Sequence, residues 1–192
     1  MAERIDSATR SNDRLASGFE LLLDRQAILD CLTRFARGND RFDRELVLSA
    51  FHADAVCDYG PYVGGPEGLY DWNEQIRPTV VCTHHHLTNH SCEIDGDTAH
   101  CETYMIYSAH RQDGSIWQAN GRYVDRLERR NGEWRIAMRC CLIESAGTVS
   151  QCELPFEGIA DLHDNGAPAK DRSDPSYHRP LANRRAPRAL GE

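Results

Sequence analysis

Long apolar runs are missing from this chain of 192 residues. Cys140-Cys141-Leu142-Ile143 is typical of the longest, far short of the ~20 residues that cross a bilayer. The opening stretch, MAERIDSATR, is charged and lacks an apolar segment, so the expectation is no secretory signal and a cytoplasmic location. Basic residues are outnumbered: Lys and Arg total 22 against 30 Asp and Glu, a formal charge of −8. Neither nucleic acid nor a membrane is therefore expected as the partner. None of the eight cysteines stands in a CxxC pair, so they read as buried, reduced small hydrophobes rather than a disulfide framework. Phosphate loops and dinucleotide fingerprints are also absent, so no cofactor is implied.

What is present suits one soluble domain, with 40% hydrophobic and 27% charged residues. Residues 1–20 read as a polar N-terminal arm, 21–150 as the domain, and 151–192 as an extended or partly disordered Pro- and Arg-rich tail. Ile28, Cys31, Leu32 and Phe35 recur at helical spacing, with Asp24 as N-cap and Gly38-Asn39 as the stop. A second short helix follows Asp43 with Leu46, Val47, Ala50 and Phe51 on one face. A third opens at Pro66 and ends before Pro78. Then the pattern changes. Asp95-Gly96, Asp113-Gly114 and Asn131-Gly132 are hairpin signals between β-rich runs, predicting strands over 83–94, 98–110, 115–129 and 133–145. The layout is α+β, helices packed on a strongly curved antiparallel sheet. Such a cone encloses a small-molecule pocket.

Candidate chemistry sits at a few positions. His84, His85 and His86 run consecutively, with His90 following; on a strand His85 takes the face opposite to its two neighbours. Adjacent strand residues give no zinc spacing, so no metal is expected. An inward imidazole on a pocket wall is an acid–base group. Asp40 follows the first helix, where it meets the negative end of the dipole; if it reaches His85, it fixes the tautomer and raises the basicity of the other nitrogen. Arg139, among apolar neighbours in the last strand, is either half of a sheet-face ion pair or a guanidinium in the cavity, where it would stabilise a developing anion. Tyr59 and Tyr62 flank a turn and read as packing residues or phenols directed into the cone. His110, Trp117 and Asn120 are further candidates for the cavity lining.

The runs DRQAILDCLTRFARGNDRFD, FHADAV, GGPEG, THHHLTN and YVDRLERRNGEWRIAMR resemble the SnoaL-like branch of the NTF2-like superfamily, over about residues 20–145. That branch includes hexachlorocyclohexane dehydrochlorinase, bile acid 7α-dehydratase and scytalone dehydratase. The resemblance implies a catalytic aspartate at Asp40, a histidine at His85, an arginine at Arg139 and a pocket tyrosine at Tyr59. Phe35, as a substrate-binding position, stands where the dehydrochlorinase has a lysine and the bile acid enzyme a tyrosine. The only lysine of this chain is Lys170, which argues against dehalogenation and leaves acid–base elimination. The implied activity is a cofactor-independent, dehydratase-type lyase acting on a small hydroxylated cyclic or aromatic compound. Alternatives within the fold are a C–C lyase releasing formaldehyde from lignin-type diaryl compounds, an isomerase, a ligand-binding module, or the non-catalytic small subunit of a dioxygenase. A homo-oligomer, dimer or trimer, is expected through the backs of the sheets.

One geometric condition attaches to this reading. With strict two-residue turns, His85 and Arg139 face opposite sides of the sheet. A three-residue loop with a G1 bulge, which Asp-Gly and Asn-Gly both permit, flips the parity, and an odd number of such bulges is required to bring them together.

Overall fold

In a computed structural model, the structure describes residues 2–150 and 158–187, with side chains from Leu15 onward. Cys152, the start of the tail and the side chains of most of the predicted arm lie outside the described residues. Helix α1 spans Ala2–Asp40 without a break at Asp24. Asp24 is not its N-cap: its carboxylate accepts hydrogen bonds from Arg129 Nη1 at 2.8 Å and Trp134 Nε1 at 2.8 Å. Helix α2 (Arg44–Ser49) follows, capped by Asp43, whose Oδ1 accepts from the Leu46 amide at 3.2 Å. Gly38 permits this sharp return, because a Cβ there would lie 2.7 Å from the Val47 nitrogen.

Ala50 and Phe51 are not helical as predicted. Phe51 opens β1 (Phe51–Asp58), which the sequence reading missed, followed by the two-residue β2 (Val63–Gly64). Pro66 starts α3 (Pro66–Glu74) as expected, and a single 3-10 turn (Arg77–Thr79) leads into the sheet. The four long strands are β3 (Val80–Asp95), β4 (Thr98–Arg111), β5 (Ser115–Arg130) and β6 (Glu133–Ser150), all within a few residues of the expected limits. The six strands lie in the order β2-β1-β6-β5-β4-β3. The long four form the antiparallel meander, while β1 pairs parallel to β6, so the sheet is mixed.

Alternation along the sheet is interrupted at one hairpin loop, as the parity condition requires, and also within β3 and β6, where no interruption was expected. On β3, Leu87 opposes Met105 but His90 opposes Thr103, leaving one extra residue at Thr88-Asn89. The β4–β5 connection has a three-residue loop, with Gly114 at φ 83°, and sets His110 opposite Ile116. On β6, Arg126 opposes Met138 while Leu127 opposes Ile136, leaving Ala137 extra. These three one-residue departures between His85 and Arg139 put both side chains on the concave face.

Helix α1 covers that face. Ile28, Cys31, Leu32 and Phe35 are buried against the concave-side residues Cys101, Met105, Tyr123 and Leu127. The described part of the tail, residues 158–187, makes contacts with the body. Tyr177 Oη donates to Asp43 Oδ2 at 2.8 Å, Arg37 Nη2 donates to the Ser176 carbonyl at 3.2 Å, and Lys170 Nζ donates to the Arg77 and Val80 carbonyls at 2.9 and 2.5 Å.

Candidate active site

Asp40 is the last residue of α1, and His85 lies on β3, the edge strand beneath it. His85 Nδ1 and Asp40 Oδ1 are 2.6 Å apart. A carboxylate only accepts, so Nδ1 carries the proton and Nε2 is left with its lone pair. The aspartate is held on three sides: Oδ1 also accepts from Thr83 Oγ1 at 3.2 Å, and Oδ2 accepts from the His85 amide at 3.0 Å. The side chains of His85 and Asp40 are 11% and 13% exposed, so the pair is largely withdrawn from water. Thr83 shares the concave face with His85, two residues away along the strand. That spacing was a legible signal for a residue that sequence reasoning missed.

His85 lines a cavity of about 410 Å³ between α1, α3 and the sheet, near the lower end of the roughly 300–1,000 Å³ usual for ligand sites. Its wall is rich in aromatic side chains, and His85 packs against Tyr107 with ring centroids 4.7 Å apart and against Phe35 at 6.0 Å. Trp117 continues the wall beyond Tyr107 at 5.9 Å. Phe35 and Trp117 both line the cavity. Tyr107, in YMIYSAH, was not singled out, although it alternates with the buried Met105.

Tyr59 also lines the cavity. Its hydroxyl is buried without a hydrogen-bond partner, as is Arg139 Nη1. Burial pushes the Tyr59 phenol far above its ordinary value, so it stays a proton donor. Arg139 is on the correct face but does not line the cavity. Its Nε and Nη2 donate to Asp125 Oδ1 and Oδ2, both at 2.7 Å, and its guanidinium lies 4.1 Å from the Phe35 ring centroid and 4.0 Å from that of Tyr123. Of the two sequence readings it satisfies the ion pair, behind the aromatic wall. Asp125 went unrecognised.

Three expected lining residues lie elsewhere. Tyr62 stacks on Trp72 at 6.0 Å outside the cavity, its hydroxyl donating to the Gly65 carbonyl at 2.7 Å. His110 and Asn120 project from the opposite, convex face, where Asn120 Nδ2 donates to Ser145 Oγ at 3.1 Å. His110 opposes Cys82, three residues from the inward His85, and Asn120 follows the inward Ala119, so alternation turns both outward.

Residues 20–139 match the SnoaL-like domain. The chain belongs to the SnoaL-like family. The SnoaL-like fold aligns with a hexachlorocyclohexane dehydrochlorinase (LinA, type 2), 22% identical over 74% of this chain and 99% of that one, at a TM-score of 0.65. It also aligns with a candidate scytalone dehydratase from Novosphingobium aromaticivorans, 17% identical over 72% and 96% of the two chains, at a TM-score of 0.62. A candidate aromatic ring hydroxylase from the same organism is 26% identical over 68% and 94%, at a TM-score of 0.60. No curated protein matches this SnoaL-like chain by sequence. Among the described residues, no helix is long and apolar enough to cross a membrane.

Proposed function

We propose that the protein is a cofactor-independent lyase that removes water from a small hydroxylated cyclic or aromatic compound. The observation that carries this reading is the 2.6 Å contact between Asp40 and His85 on the wall of an aromatic cavity. His85 Nε2 takes a proton from an activated carbon, or from a phenol or enol, of the bound compound. Asp40 stabilises the imidazolium that forms, as an orienting carboxylate does in other acid–base pairs. The departing hydroxyl needs a proton, and the Tyr59 hydroxyl, buried in the wall without a partner, supplies it. Arg139 acts through Tyr59 and the aromatic wall, as a fixed positive charge favouring the anionic character that develops in the ring. The apolar wall excludes water and strengthens each of these interactions.

The test incubates the full chain in D2O with a panel of hydroxylated cyclic and aromatic compounds, followed by mass spectrometry. The expected result is loss of one water, or deuterium uptake at carbon, for a subset of the panel. His85→Ala should lower the rate by about 10²–10⁴-fold, the usual contribution of a positioned acid–base group. Compounds that bind but neither exchange nor eliminate, with His85→Ala indistinguishable from the native chain, would overturn the lyase and leave a binding module.

A further inference from the structure

The convex face of the sheet carries a second cluster, separated from the Asp40–His85 site by the sheet itself. Cys82 and His110 are direct partners across β3 and β4, and His84 is two residues along β3 on the same face. Their ligating atoms lie within 4.8 Å of one another, and the His84 and His110 rings are 5.1 Å apart. We propose that Cys82, His84 and His110 bind a divalent transition metal of the zinc type, clipping edge strand β3 to β4. A tetrahedral zinc centre, with bonds of about 2.0–2.3 Å, holds its ligands roughly 3.3–3.8 Å apart. Small rotations of three side chains therefore close the site.

Three further observations favour it. Among the described residues, no hydrogen bond occupies the Cys82 thiol or the rings of His84 and His110, so binding breaks none. All three residues are half-buried, which gives an ion access while removing much of the competing water. The donor set holds one thiol and two imidazoles and no oxygen ligand. Such a set selects against magnesium or calcium, which take oxygen ligands, and in favour of a metal that gains covalent character from thiolate and imidazole. Cys82 binds as the thiolate and gives its proton to the buffer. The fourth position stays open to water or a small ligand.

The other Cys/His group, His90, Cys92 and Cys101, is the weaker candidate. Cys92 and Cys101 are sealed beneath α1, at 5% and 0% exposure, and His90 Nδ1 is already 2.9 Å from Thr103 Oγ1.

Titrating the full chain with Co2+ and Zn2+ tests the proposal. One equivalent of Co2+ should bind per chain and produce a thiolate-to-metal charge-transfer absorption, and Zn2+ should displace it and raise the thermal midpoint. Cys82→Ser should abolish the charge-transfer band. His110→Ala, on the other strand, should weaken binding by at least about tenfold, with circular dichroism confirming that both variants fold. Cys92→Ser should bind as the native chain does. No stoichiometric binding, a band that survives in Cys82→Ser, or a loss in Cys92→Ser alone would overturn it. Because metal binding is read from the absorption band and not from turnover, its failure and the failure of the elimination chemistry are distinguishable.

Discussion

Asp125 and Arg139 meet in a two-point ion pair whose side chains are both completely shut off from solvent. They face each other because Ala137 is bulged out of the ladder on β6; were Ala137 paired with Arg126, Met138 would oppose Asp125 and Arg139 would turn to the convex face. Phe35 and Tyr123 sandwich the guanidinium, so the pair supports the wall that carries the cavity.

Removing one member should therefore be far costlier than removing both. Asp125→Ala leaves a buried, uncompensated charge and is expected to lose about 3–5 kcal/mol in denaturant unfolding. The double variant Asp125→Leu with Arg139→Met should recover much of that loss. A double variant no more stable than Asp125→Ala would show that the pair itself, rather than its desolvated charge, holds the sheet together.

Gly121 sits where β5 and β6 shift register, and a Cβ there would lie 2.0 Å from the Leu142 carbonyl oxygen. Gly121→Ala must push backbone rather than a flexible side chain. An expected loss of about 1–3 kcal/mol is measurable by urea unfolding. Ala119 and Ile143 on either side line the cavity, so ligand binding should weaken with it.

The tail should detach in acid. Asp174 is buried, which by itself would raise its pKa. Hydrogen bonds from the Ala169 and Ser176 amides and the charge of Arg41 outweigh burial and hold it down at about 2. Asp43 is likewise depressed: burial is outweighed by hydrogen bonds from Arg172 and Tyr177. A depressed carboxylate pKa contributes stability above the unfolded value of 3.8, and that stability is lost as pH falls towards 2. For Asp174 the contribution is on the order of 2 kcal/mol. Limited proteolysis near Tyr177 by an acid-active protease should accelerate across this window. Asp174→Asn should make cleavage less dependent on pH. An unchanged profile in that variant would remove Asp174 as the cause.

Nitrogen-15 NMR of labelled protein at mildly alkaline pH should show His85 protonated at Nδ1 and bare at Nε2. Asp40→Ala should abolish the preference, since only the carboxylate imposes it. A native spectrum with the proton on Nε2 would contradict the arrangement from which the elimination chemistry is derived.

Much of the site was legible because its signals are local. Hairpin dipeptides marked the turns, helical spacing marked the buried face of α1, and the middle histidine of three had to point opposite to its neighbours. What was not legible depends on accumulated register. His110 was placed in the cavity because no single residue announces the extra residue on β3 that sets His85 opposite Tyr107 and leaves His110 outward, and Asn120 because its face depends on that shift together with the three-residue loop. Asp125 was overlooked because its value lies in a partner fourteen positions later, reached across a bulge. Strand β1 was missed, and its first residue assigned to the second helix, because Phe51 fits a helical face as well as a parallel strand. The continuity of α1 through Asp24 was missed because a carboxylate bound by Arg129 and Trp134 from β5 and β6 looks, in sequence, like a cap.

The extra residue at Thr88-Asn89 also gives β3 slack. Both residues sit against Tyr104, between the Leu87–Met105 and His90–Thr103 pairs, so deleting either one restores regular pairing without moving anything on either side. The histidine run upstream and the buried Cys92 downstream would keep their faces. A strand that carries the reactive imidazole can therefore lose a residue there without changing which of the three histidines looks inward. The bulge works as an expansion joint, and in related chains this is where single-residue differences in length should gather.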